Sequence, residues 1–179
     1  MSPARAGAAL VVLGSMLCLW GCSTDQGPTP LGREGYCASR DTNAVTVVID
    51  YGDLGPQPFI GCASNLTEGA RGVDALRALG ITITEATRSP QFICRIEGYP
   101  TLDQVLEIPG RDSYTENCVA TPPQSAYWTY WWAEESGQWT YSTQGYALHE
   151  VTFGGFEGYS FAHNTPSAEA QPRISTTPV

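Results

Sequence analysis

A chain of 179 residues, 42% of them hydrophobic, is long enough to bury one domain's core once its ends are set aside. All nine basic residues are arginine, there is no lysine, and eighteen acids leave a formal net charge of −9. No stretch clusters arginine, which excludes a polyanion-binding surface, because nucleic-acid binders need a basic stripe to displace counterions.

Residues 1–21 have the layout of an export signal. A short n-region carries one positive charge at Arg5, and an apolar run follows that is too short to span a bilayer comfortably. The run ends in Leu19-Trp20-Gly21-Cys22. This resembles a bacterial lipoprotein signal, in which the small residue before the cysteine permits cleavage and Cys22 becomes the lipidated N-terminus, although Trp20 departs from the usual small or apolar residue at that place. An ordinary signal peptide cut nearby is the alternative, and both predict export. Residues 22–42 then read as the lipidated cysteine and a flexible tether, rich in Gly, Pro and Thr with no apolar period.

Cysteine usage points the same way. With Cys18 in the signal and Cys22 in the anchor, Cys37, Cys62, Cys94 and Cys118 remain, an even number suited to an oxidising compartment. Four cysteines allow three connectivities. Cys37 with Cys62 and Cys94 with Cys118 is favoured, since each bond then closes a loop of about 25 residues and contributes roughly 3 kcal/mol by loop entropy. Zinc is disfavoured: no two of these four cysteines stand two to four apart, and neither His149 nor His163 has a partner at ligand spacing.

The domain proper is expected over residues 43–162. Residues 43–51, with AVTVVID dense in β-branched side chains, predict a central strand buried on both faces; a turn at 52–55 leads to an edge-like strand over 56–62, where prolines cannot donate to a ladder. A helix is predicted over 67–79, with Thr67 as N-cap, Ala70, Val73, Leu76 and Leu79 at helical spacing, and Gly80 as its stop. Arg71 and Arg77 would face solvent. ITITEA from Ile81 is a short strand, Arg88-Ser89-Pro90 a turn, and FICRIEG from Phe92 a stronger strand with Phe92, Cys94 and Ile96 on one face and Ile93, Arg95 and Glu97 on a mixed, partly exposed one. Between Gly98 and Ser125 four prolines and no sustained period predict a long loop pinned by Cys118.

The stretch AYWTYWWAEESGQWTYS holds four of the five tryptophans, and aromatics make up twelve of the 35 residues from Tyr127 to Phe161. As a hairpin turning at 134–137, it alternates Tyr127, Thr129 and Trp131 against Trp128, Tyr130 and Trp132, and its return strand places Trp139 and Tyr141 together. Both faces are aromatic, so the second face needs a cover: more protein, a ligand or a partner. The segment Gly158-Tyr159-Ser160-Phe161 predicts a last strand, and the polar residues 163–179 a disordered tail. The candidate ligand-binding residues are Tyr127, Trp128, Tyr130, Trp131, Trp132, Trp139 and Tyr141, whose π faces suit a flat or ring-shaped ligand. Each of them is also a candidate core residue.

Catalysis finds little support. Asp50 with Asp53, and Glu134 with Glu135, fall at turns where carboxylates are usually solvated, rather than as a pair fixed across a cleft. The segment around Ser160 lacks the glycine that a nucleophile elbow needs, and the four domain cysteines are expected to be oxidised. His149-Glu150 reads as a surface pair. No catalytic residue, metal or cofactor is expected.

The succession VTVVIDYGDLG, a helix ending ALRALG, FICRIEGYP, ENCVATPP, YWTYWW and FEGYSFA resembles a family of exported actinobacterial proteins of unassigned function. More distantly it resembles the C-terminal domain of transcobalamin and its bacterial relatives. The resemblance implies an α+β fold of β-grasp type, a mixed or antiparallel sheet gripping one main helix, and a role in binding a soluble ligand, with a corrinoid implied by resemblance only. The large helical domain that makes most corrinoid contacts in transcobalamin is absent, so corrinoid binding does not follow. The function expected is a non-catalytic binding module lipid-anchored at the outer face of the membrane, capturing a small ligand for an envelope transporter. The alternative is an interaction module that docks an envelope protein through the aromatic hairpin.

Overall fold

The computed structural model describes residues 32–178, so the signal and the Cys22 anchor lie outside the described residues. The elements in chain order are β1 (Gly32–Glu34), β2 (Val45–Asp50), β3 (Phe59–Ala63), α1 (Gly72–Ala78), β4 (Ile83–Ala86), β5 (Ser89–Ile96), β6 (Val105–Leu106), β7 (Tyr114–Thr115), β8 (Ala126–Ala133), β9 (Thr140–Tyr141) and β10 (Phe156–His163). Six strands form one mixed sheet in the order β1-β3-β2-β10-β8-β9; β10 runs parallel to β2 and every other pairing is antiparallel. Two small ladders, β4 with β5 and β6 with β7, stand apart from it. The result is a sheet-dominated α+β arrangement stapled by Cys37–Cys62 and Cys94–Cys118, the pairing favoured from loop size.

The VTVVID run is buried along its whole length, as its continuous apolar pattern requires, because β2 lies inside the sheet with both faces covered. On one face Val45, Val47 and Ile49 join Trp128, Tyr130, Tyr159 and Phe161 in the main core, with Ala75 and Leu76 of α1 packed among them. The helix is shorter than its apolar period suggested. Residues 67–70 form a turn, Ala70 N–H donating to Thr67 O, and the first helical turn is closed by Asp74, whose carboxylate accepts from Arg71 N–H at 3.0 Å. Arg71 and Arg77 are exposed and Gly80 ends the helix, as expected.

Several expectations are corrected. Residues 32–34, read as tether, add an edge strand to β3. Ser89 and Pro90, read as a turn, begin β5. The 98–125 loop contains the β6–β7 ladder. Arg95 is buried: its guanidinium donates to Pro100 O at 2.7 Å, to Cys118 Sγ at 2.8 Å and to Glu116 O, filling the interior of that loop.

The second face of the sheet is covered by the chain's own tail. Residues 163–178, expected to be disordered, run back across β10 and β8: Thr129 Oγ1 donates to Ala170 O, Trp139 Nε1 to Ile174 O at 3.0 Å and Thr176 Oγ1 to Gly137 O at 2.5 Å. Gly158 makes room for this, since a Cβ there would lie 2.7 Å from the Trp139 ring and 2.8 Å from Pro172. The fold therefore extends from residue 32 to 178, beyond the 43–162 expected.

Candidate functional site

β8 pairs with β9 only at Trp131 and Trp132. After Tyr141 the chain swings away, and a cleft of about 240 Å³ opens between the edge of β8, the start of β5 and residues 141–146. Rings line it: Phe92, Tyr127, Trp128, Tyr130, Tyr141 and Tyr146. Phe92 and Tyr141, 45% and 39% exposed, stand at the rim. The Tyr127 and Tyr141 hydroxyls lie 3.4 Å apart, and burial, with Tyr127 beside it, pushes the Tyr141 phenol up to about 12, so it keeps its proton as a donor.

The seven candidate aromatics divide among three places. Tyr127, Trp128, Tyr130 and Tyr141 meet at the cleft, although Trp128 and Tyr130 are largely core: Trp128 makes edge-to-face contacts with Tyr51 and Phe161 and donates Nε1 to Tyr99 O at 3.2 Å. Trp131 is buried, its Nε1 donating to Thr129 Oγ1, and Trp139 packs edge-on against Phe156 on the tail side. Trp132 is half-buried and stacks on His149.

The sequence reading missed Phe92 as a rim residue and missed a buried polar cluster beneath the cleft. Glu157, 1% exposed, accepts from Tyr130 Oη, and its other oxygen faces His149 Nε2 at 3.8 Å. Burial raises its carboxyl to about 8, only partly offset by the Tyr130 hydrogen bond, so Glu157 is neutral at pH 7. Burial lowers the His149 imidazole, which is also neutral. His149 is thus a packed ring and not the surface partner of Glu150. A carboxyl among tyrosines leaves a signal only in the alternation of FEGYSFA, which puts Glu157 on the same face as Tyr159 and Phe161.

The carboxylates considered for glycosidase chemistry are not brought together across a cleft. Asp50 is buried, contrary to its expected solvation, and holds Arg173; Asp53 is exposed and contacts His163 Nδ1 at 2.6 Å; Glu134 and Glu135 are exposed at the hairpin tip. The only groups of three potential metal ligands among the described residues each contain a disulfide pair, whose sulfurs are spent. A wider open groove of about 650 Å³ lies between residues 136–139 and 171–177, but Gln138, Gln171, Arg173 and Ser175 make its wall mostly polar.

Comparison of the chain with protein-family models, with curated proteins and with solved structures finds no match.

Proposed function

We propose that this protein is an exported, non-catalytic binding module whose aromatic cleft takes up a single ring. The observation that carries the reading is the cleft itself: rings converge on a concavity that the packed core leaves open, with phenol hydroxyls available to orient a ligand. Two disulfides support an oxidising location, and the sequence of residues 1–22 supports anchoring through Cys22 to the outer face of the membrane. The β-grasp assignment belongs to the same proposal. It is supported by the order β3-β2-β10-β8-β9, in which the first and last long strands lie parallel at the centre and α1 follows the first hairpin.

The size of the cleft narrows the ligand. At about 240 Å³ it falls below the roughly 300–1,000 Å³ that drug-sized ligands occupy, which favours one aromatic or sugar ring over a whole corrinoid. The test is a tryptophan-fluorescence titration of the disulfide-bonded protein with p-cresol and with methyl glucoside. Saturable quenching by one of them, lost in Tyr127→Ala with the fold intact, is expected. A flat response to both would overturn the reading.

A further inference from the structure

One wall of the cleft is a strand edge, residues 127–130 of β8. Asn164 N–H donates to Ser125 O, and in the β8–β10 register the odd-numbered residues of β8 carry the hydrogen bonds to β10. The even-numbered residues therefore turn their N–H and C=O groups to the opposite edge. There Ala126 N–H donates to Pro123 O, and Tyr130 O accepts from Ser142 N–H at 3.0 Å. Between them stands Trp128. Among the described residues no chain pairs with it on that side, because β9 ends at Tyr141 and reaches only as far as Trp131. The residues lining the cleft include four consecutive positions of β8, 127–130, as expected for a groove that looks onto a strand edge-on, since side chains alone would alternate between faces.

We infer that the ring taken up here is the side chain of an extended peptide, which adds to β8 as a short strand opposite Trp128. This rests on the reading of the cleft as a ring-binding site. Chemistry selects this occupant over a free sugar or aromatic molecule. The edge offers a backbone acceptor at Ala126, a donor and an acceptor at Trp128, and a donor at Tyr130, at the spacing of a β-ladder, and a peptide backbone supplies the matching set in one rigid register. Phe92, Tyr127 and Tyr141 would hold a side chain, while main-chain bonds supply affinity with little sequence preference. The −9 charge of the chain favours a segment that is neutral or basic.

The experiment follows backbone amide signals and amide hydrogen exchange in the disulfide-bonded protein. Its probes are p-cresol, the capped peptide acetyl-Arg-Val-Tyr-Val-Arg-amide, and two versions of that peptide, one N-methylated at the tyrosine and one at both valines. A strand exposes alternate N–H groups to its neighbour, so one methylation pattern is expected to weaken binding at least tenfold and the other to leave it within twofold. Exchange at Trp128 N–H is expected to slow at least tenfold with the peptide and not with p-cresol. If p-cresol binds while both methylated peptides bind as well as the parent, the ring site stands and strand addition is overturned. If neither p-cresol nor any peptide binds, both readings fall.

Discussion

Arg173 closes on Asp50 across 123 residues of chain: its backbone N–H and Nε both donate to one carboxylate oxygen, at 2.8 and 2.9 Å, and Nη2 donates to the other at 2.6 Å. Asp50 is fully buried at the end of β2, while most of the arginine side chain is exposed. This clamp ties the tail to the sheet's central strand. Burial pushes the Asp50 carboxyl upward, but hydrogen bonds from Arg173 and Gly52 outweigh it and hold the group below its ordinary value. A carboxyl lowered in the folded state contributes stability that is present above its unfolded value, about 3.9, and is lost as pH falls through the folded one. Arg173→Ala should cost about 2 kcal/mol at pH 7, since the buried carboxylate loses both guanidinium bonds and keeps only the backbone N–H groups of Gly52 and residue 173, and should flatten the loss of stability below pH 4. Urea midpoints of the two proteins between pH 2 and pH 7 check this; an unchanged acid limb would place the acid sensitivity elsewhere.

Glu157 works in the opposite direction. Its folded value of about 8 exceeds the ordinary 4.5, so between those limits the folded state holds a proton that the unfolded chain has released. Stability should therefore decline as pH rises from about 4.5 to 8 and level off beyond, by on the order of 5 kcal/mol from this group alone. Glu157→Gln keeps the shape and the acceptor for Tyr130 Oη while removing the titration. It is expected to be more stable than the parent at pH 8 and nearly equal at pH 4.5. The helix start lies against the same cluster: a Cβ at Gly72 would sit 2.7 Å from Tyr130 Oη and 2.9 Å from Tyr159 Oη. Gly72→Ala should accordingly destabilise by roughly 1–3 kcal/mol through overpacking, read from the same denaturation curves.

What could be read from the chain follows from how local the signal is. The VTVVID strand, the aromatic hairpin, the Gly80 helix stop and the disulfide pairing all rest on periodicity or spacing within a few tens of residues. The tail rests on something else. A polar, Pro-rich segment has no period, and it is ordered because Asp50, Trp139 and Gly137, up to 123 residues away, supply its partners. Arg95 misled for a related reason: alternation placed it on a mixed face, but carbonyls of a loop folded over it satisfy its donors. At the cleft, the aromatic residues were legible as a group. Which of them stay accessible depends on where β9 stops pairing, and two residues of ladder leave no mark in composition.

The 98–118 loop should depend on Arg95 as much as on its disulfide. The guanidinium reaches Pro100 O, Glu116 O and Cys118 Sγ at once, while the Glu116 carboxylate accepts from Tyr114 Oη and Cys118 N–H, both at 2.6 Å. Arg95→Ala leaves two carbonyls without their donor and should cost about 3 kcal/mol. Replacing Cys94 and Cys118 together by alanine removes a 24-residue closure, expected to cost a further ~3 kcal/mol. In both variants limited proteolysis should cut first within residues 98–118. First cleavage elsewhere would show that the loop is held by its own β6–β7 ladder.

The aromatic residues should separate into two classes by a comparison of stability with binding. Trp128 and Trp131 are at least nine-tenths buried, within the main core and beneath the tail respectively, so Trp128→Ala and Trp131→Ala should each lose about 3–5 kcal/mol. Phe92 and Tyr141 stand at the rim, and Phe92→Ala and Tyr141→Ala should move the urea midpoint little, within about 1 kcal/mol. Binding should show the reverse order of sensitivity per unit of stability lost: the rim variants are expected to weaken a p-cresol titration about tenfold with the fold intact. A rim variant that unfolds the protein would turn the cleft into a packing defect. A rim variant that leaves both binding and stability untouched would move the ring away from Phe92 and Tyr141, toward Tyr127 at the β8 edge.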